Sequence, residues 1–132
     1  MAAVAKSGTP SLSTRNPCPG HYVGSNLLAG AALSAGDPCY IGSTGTVLRS
    51  IGTTANAAAK VDGWAAGAAA SGEAVTLLTD VEFHWGAALT PGGRLYLSLT
   101  AGTLDTAASA GGTAPIAKAI DTTRIRVWAS TY

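Results

Sequence analysis

The sequence predicts a small all-β protein: a β-barrel or sandwich built from two repeated strand–turn–strand modules, with an extended N-terminal arm. Three observations lead there. Short apolar or alternating runs recur between clusters of Gly, Pro, Ser and Asp, the pattern of a sandwich or barrel. A phrase beginning at Leu33 returns at Leu89. The first twenty residues carry three prolines among Ser and Thr, which bars a helix or a central strand there.

The chain is 132 residues long, enough for one domain with one modest core. Residues 1–20 read as the arm, with too few apolar side chains to order themselves and contacts to be supplied by a partner. Residues 21–132 read as a single barrel-like domain with an internal repeat, about 33–79 and 89–129. Its strands are expected at His21–Leu28, Pro38–Ile41, Thr46–Arg49, Lys60–Ala65 and Glu73–Leu78. They continue at Val81–Trp85, Arg94–Ser98, Pro115–Ile120 and Thr123–Trp128. Alternation sets Val81, Phe83 and Trp85 on one face. It likewise sets Ile125 and Val127 inward, opposite Arg124, Arg126 and Trp128. The alanine-rich stretches 55–59 and 65–70 have room for a helical turn, but their bracketing glycines exclude a long helix.

The repeat assigns roles. Leu33 and Leu89 precede a turn and anchor it, and Gly36 and Gly92 supply its permissive backbone angle. Cys39 with Ile41, and Leu95 with Leu97, point to the core, which turns Tyr40 and Tyr96 outward. With one residue inserted, Gly45 matches Gly102 and Val47 matches Leu104. A single unit is marginal, so the two are expected to close on each other as one barrel without exposed edges.

Composition removes several function classes. Eight basic and seven acidic residues leave no excess of cations for a nucleic acid or an anionic membrane. Charged residues are only 11 % of the chain, so Ser, Thr, Gly and Ala must cover the surface, as suits a protein packed against something. The uncharged stretch 16–36 contains prolines and four glycines and does not read as a membrane span. No basic region followed by an apolar run marks a signal peptide, and the expected compartment is the cytoplasm. Cys18 and Cys39 suffice for one bridge but not for a disulfide framework.

Little chemistry is expected. Cys18, His21, Cys39 and His84 have the residue types of a zinc site, but Cys39 reads as core and Cys18 lies between prolines. Ser43 reads as a hairpin-turn residue, and Asp80 with Glu82 as a strand start rather than a paired-carboxylate site. No cofactor or metal is expected, and the chain does not read as an enzyme. The candidate interface residues are Arg15, Tyr40, Tyr96, Arg124, Arg126 and Trp128, because Arg and aromatic residues anchor interfaces.

The phrases Leu-Ser-Ala-Gly-Asp-Pro-Cys-Tyr-Ile, Lys-Val-Asp-Gly-Trp-Ala and Ala-Ser-Gly-Glu-Ala-Val-Thr-Leu-Leu resemble the phage capsid cement (head decoration) family. So do Leu-Thr-Pro-Gly-Gly-Arg-Leu-Tyr-Leu-Ser, Ile-Ala-Lys-Ala-Ile and Thr-Thr-Arg-Ile-Arg-Val, over about Leu27 to Val127. The chain departs from the pattern at Gly93, a turn position where the first copy has Asp37, and in its long Pro-rich arm. The resemblance implies a structural virion protein on the outer surface of an assembled phage capsid. Its partners would be the major capsid protein and copies of itself, with a homotrimer as the family's frequent form and a dimer or monomer as the alternatives, and with no nucleic acid and no membrane. The alternatives are a carbohydrate- or host-surface-binding module, with Tyr40, Tyr96, Trp85 or Trp128 stacking on sugars, or another virion component such as a tail protein.

Overall fold

The computed structural model describes residues 3–4, 6, 9–12, 21–86 and 89–130. They form β1 (Ala3–Val4), β2 (Ser11–Leu12), β3 (His21–Ala29), β4 (Pro38–Ile41), β5 (Thr46–Arg49) and β6 (Gly63–Ala65). These are followed by β7 (Ala74–Thr79), β8 (Glu82–His84), β9 (Arg94–Leu97), β10 (Leu104–Asp105), β11 (Ala117–Ala119) and β12 (Arg124–Val127). The predicted all-β class is what forms. In the first alanine-rich stretch a 3-10 turn, Ala57–Ala59, is capped by the Asn56 side chain, which accepts from the Ala58 N–H at 3.0 Å.

The repeat is a repeat of strand order. The first half runs β5-β4-β6-β7-β3 and the second β10-β9-β11-β12-β8. Main-chain bonds recur at matched positions. Gly36 N–H donates to Ala65 and Gly92 N–H to Ala119, each at 2.8 Å. Asp62 N–H donates to Cys39 and Ile116 N–H to Leu95, again at 2.8 Å. Gly36 and Gly92 have φ of +77° and +80°, and the second-turn glycines Gly45 and Gly102 have +83° and +80°. The left-handed region disfavours any residue with a Cβ, so the sequence places glycine at these matched turns.

The closure differs from the one expected. The halves do not close on each other. The first closes on itself, because β3 is nine residues long and reaches both neighbours. It pairs antiparallel with β7 and, at Leu28 and Ala29, parallel with Thr46 and Val47 of β5. Register shifts between Tyr22 and Leu27 bend β3 around the barrel, as bulges do. Its counterpart β8 has three residues and does not reach β10, so the second half stays an open sheet. The arm covers both of its edges: β1 pairs with β10 and β2 with β8, completing the order β1-β10-β9-β11-β12-β8-β2. The described arm residues are therefore docked on their own chain. The prolines permit this because edge strands of two residues need few ladder bonds.

The apolar interior is also divided, where one core was expected. Cys39, Val47, Ala65, Val75 and Leu77 fill the barrel. The larger cluster lies under the sheet's inner face, around Phe83, Trp85, Leu95, Leu97, Ile125 and Val127. Trp64 and Leu78 belong to the second cluster although they sit on barrel strands, so the barrel's outer wall is the floor of the sheet's core. Trp64 is fully buried and its Nε1–H donates to the Trp128 carbonyl at 3.0 Å, linking the halves. Truncating such a tryptophan costs about 3–5 kcal/mol.

Candidate functional site

Period-two alternation turns one face of the seven-stranded sheet to the core and leaves the other outside. Along β9, β11 and β12 the inward residues are Leu95, Leu97, Ala117, Ala119, Ile125 and Val127, all buried. The outward set holds Arg94 and Tyr96, Lys118 with Ile120 just beyond its strand, and Arg126 with Trp128 just beyond its strand. Arg94 and Lys118 are exposed, Ile120 is 40 % exposed, and Tyr96, Arg126 and Trp128 are half-buried. Gly92, Lys118, Ala119, Ile120, Arg126 and Trp128 line one depression on this face.

Register aligns the charges. Arg94 lies directly opposite Lys118, and Lys118 directly opposite Arg126. Directly opposed residues on one face have neighbouring side chains, so the three cations form a row across β9, β11 and β12. Beyond Arg126 the row meets Glu82, which also lies 3.9 Å from Arg124. Trp128 is fixed rather than free. Its Nε1–H donates to the Pro115 carbonyl at 2.9 Å, and its main-chain N–H donates to Ile116 at 3.1 Å.

Arg126 and Trp128 are thus brought together, and Tyr96 shares their face opposite Asp105 of β10. Arg124 is a correction. Its side chain is only 5 % exposed, because Asp121 of the preceding turn covers it and Glu82 lies beside it. Arg124 Nε donates to Asp121 Oδ2 at 2.7 Å, and a second guanidinium nitrogen donates to the same oxygen. Those hydrogen bonds, with one from the Thr123 N–H, hold the Asp121 carboxyl well below the usual carboxylate range. Tyr40 sits half-buried on the barrel's wall opposite Leu48, not on this face. Arg15 and Cys18 lie outside the described residues.

The other candidates resolve plainly. Cys39 is fully buried with a free thiol, which burial and then the Asp37 charge push up to about 12. His84 is exposed on β8, Ser43 is exposed in the β4–β5 turn, and Asp80 ends β7 at φ +56°. Among the described residues no three His, Cys, Asp or Glu side chains gather as metal ligands. Trp85, weighed above as a sugar-stacking residue, is fully buried and donates from Nε1 to the Gly36 carbonyl at 3.0 Å. No helix among the described residues is long and apolar enough to cross a membrane.

No protein-family model matches the chain, and no curated protein sequence matches it.

Two features escaped the sequence reading. Lys118, Arg94 and Ile120 share the face with Arg126 and Trp128, which only register reveals, although the alternation Ala117-Lys118-Ala119 already pointed Lys118 outward. Asp37 is more than a turn residue. It is fully buried, accepts from the Ser34 N–H at 2.8 Å and from Arg49 Nε at 2.7 Å, and forms an ion pair with Lys6 of the arm. Its replacement by Gly93 in the second copy therefore removes an arm anchor. The outward face itself offers cations, an indole and an isoleucine: the chemistry of contact.

Proposed function

We propose that the protein is a structural virion component, a cement or decoration protein that binds the outer surface of an assembled phage head and stabilises it. The observation that carries the reading is an outward sheet face bearing Arg94, Lys118, Arg126, Trp128 and Ile120 on an otherwise charge-poor body. The barrel has no free edge and the sheet's edges carry arm strands, so the body is guarded against edge-to-edge strand addition. Contact is then made by a face, with partly buried Arg126 and Trp128 as anchors. The sequence resemblance supplies the capsid as the partner, with copies of the chain as neighbours. Binding only the assembled shell stabilises that state by mass action, and many copies multiply a modest contact.

The test is to mix the purified protein with expanded, undecorated phage heads and to image them. Regular density on the outer surface is expected. Bare heads at saturating protein refute the reading. A glycan array addresses the alternative, for which half-exposed Trp128 and Tyr96 on one face are the only support.

A further inference from the structure

The duplication allows one row of positions to be compared with its own counterpart. Arg94, Lys118 and Arg126 are paired in register across β9, β11 and β12. The same three places in the first half, across β4, β6 and β7, hold Pro38, Trp64 and Leu78, again paired in register. There all three are buried, and Trp64 and Leu78 join the core between the halves. A row that makes the intramolecular contact in one copy is, in the other, turned outward and made of cations.

Within the row that composition is unfavourable for the free protein, with one carboxylate, Glu82, directly opposite Arg126 at its end. Like charges directly opposite on a sheet repel. Three of the chain's eight cations stand in this row, and none of the three forms a salt bridge among the described residues. An ordinary solvent face of this charge-poor chain would carry Ser or Thr. A row of opposed cations suits a partner that neutralises it. It also discourages a second copy from docking there as the first half docks on the second.

We propose that the Arg94–Lys118–Arg126 row, with Trp128 and Ile120 beside it, is the docking site for an acidic polypeptide segment of a partner protein. Charge complementarity selects the anion. The adjacent indole and isoleucine select a chain with carboxylates and apolar side chains over a nucleic acid. A nucleic acid would call for more cations and for stacking platforms than this face holds. Carboxylates meeting two arginines and a lysine gain charge-assisted hydrogen bonds and end the repulsion within the row. The inference rests on this face being the contact face, not on the partner being a phage shell.

The experiment uses the full chain and a fluorescein-labelled peptide of Glu, Ser and Leu, with a Gln, Ser and Leu peptide and a single-stranded oligonucleotide as comparisons. Anisotropy is read at low and at physiological salt, with circular dichroism to check folding. The acidic peptide should bind, more weakly as salt rises, and the neutral peptide should not. The triple variant Arg94→Gln, Lys118→Gln, Arg126→Gln should stay folded and lose about ten- to a hundredfold in affinity, the sum of three modest exposed pairs. Equal binding by the triple variant, or tighter binding of the oligonucleotide through the same residues, overturns the proposal. Heads separate it from the capsid reading. A wild-type chain that binds the peptide through this row but leaves heads bare keeps the docking site and removes the shell. Heads decorated equally by wild type and triple variant do the reverse.

Discussion

Gly36 and Gly92 occupy the same turn in the two copies, and their replacement by alanine makes an internal control. Both have φ near +80°, so a Cβ at either position costs about 1–2 kcal/mol for the left-handed backbone alone. Their surroundings differ. A Cβ at Gly92 meets nothing within 4 Å, whereas one at Gly36 falls 2.7 Å from Pro10 Cβ, 2.9 Å from Pro10 Cγ and 3.0 Å from Trp85 Nε1. Overpacking of that kind adds about 1–3 kcal/mol, so Gly36→Ala should cost about 2–5 kcal/mol against about 1–2 for Gly92→Ala. Urea unfolding measures both, and each kcal/mol of difference moves the thermal midpoint by about 3–5 °C for a chain of this size. The excess is assigned to the docked arm by a double-mutant cycle with Pro10→Gly, which removes two of the three clashing atoms. The double variant should recover about 1–2 kcal/mol of it. Equal losses from Gly36→Ala and Gly92→Ala, or no coupling to Pro10, would refute the arm's placement against this turn.

Other outcomes follow from the same geometry. Lys118→Thr relieves two like-charge contacts and should raise the stability of the free protein by about 0.2–1 kcal/mol in urea while weakening acidic-peptide binding. Arg124→Gln should destabilise the protein in a pH-dependent way. Arg124 lowers the folded value of Asp121, so its contribution is fully present above the ordinary carboxylate value of 3.8 and is lost as the pH falls. Unfolding curves of wild type and variant should therefore draw together in acid, and a gap that widens there would contradict the pairing. In a Cys18→Ser background, Cys39 should resist iodoacetamide at neutral pH until denaturant opens the barrel, because its thiol is buried and its pKa raised to about 12. Rapid labelling of the native protein would place it elsewhere.

The parts of the fold legible in the sequence are those governed by local pattern. β4 and β5 fall on their expected residues, because alternation and a Gly-containing turn define both ends of a hairpin. The matched turns and the inward Cys39, Leu95 and Leu97 were legible for the same reason, whereas Ile41, expected in the core with Cys39, is 39 % exposed. The arm strands were not: two residues carry no period, and their partners lie far along the chain. β10 was missed as a strand although the match of Val47 with Leu104 signalled it. The mode of closure depends on strand reach, nine residues in β3 against three in β8, and sequence texture does not weigh this. At the site, alternation placed Arg126 and Trp128 outward correctly. It failed at Arg124, because a carboxylate three residues upstream folds over the same face. The cation row and the burial of Asp37 are facts of register and of long-range packing.

The double capping of the sheet has a consequence for how the chain is made. Ala3 pairs with Asp105, a separation of 105 − 3 = 102 residues, and Ser11 pairs with His84, a separation of 84 − 11 = 73. Residues 21–79 hold every strand of the barrel, which can therefore close while the rest of the chain is still being synthesised. The arm strands are made before the barrel yet are the last to find their places, since such long-range contacts carry the largest loop-closure entropy. In a refolding chain, amide protection should appear in β4–β7 before it appears in β8 and β10. Until the arm docks, both edges of the sheet stand open, so the newly made protein passes through a brief interval in which strand addition by a neighbour is possible.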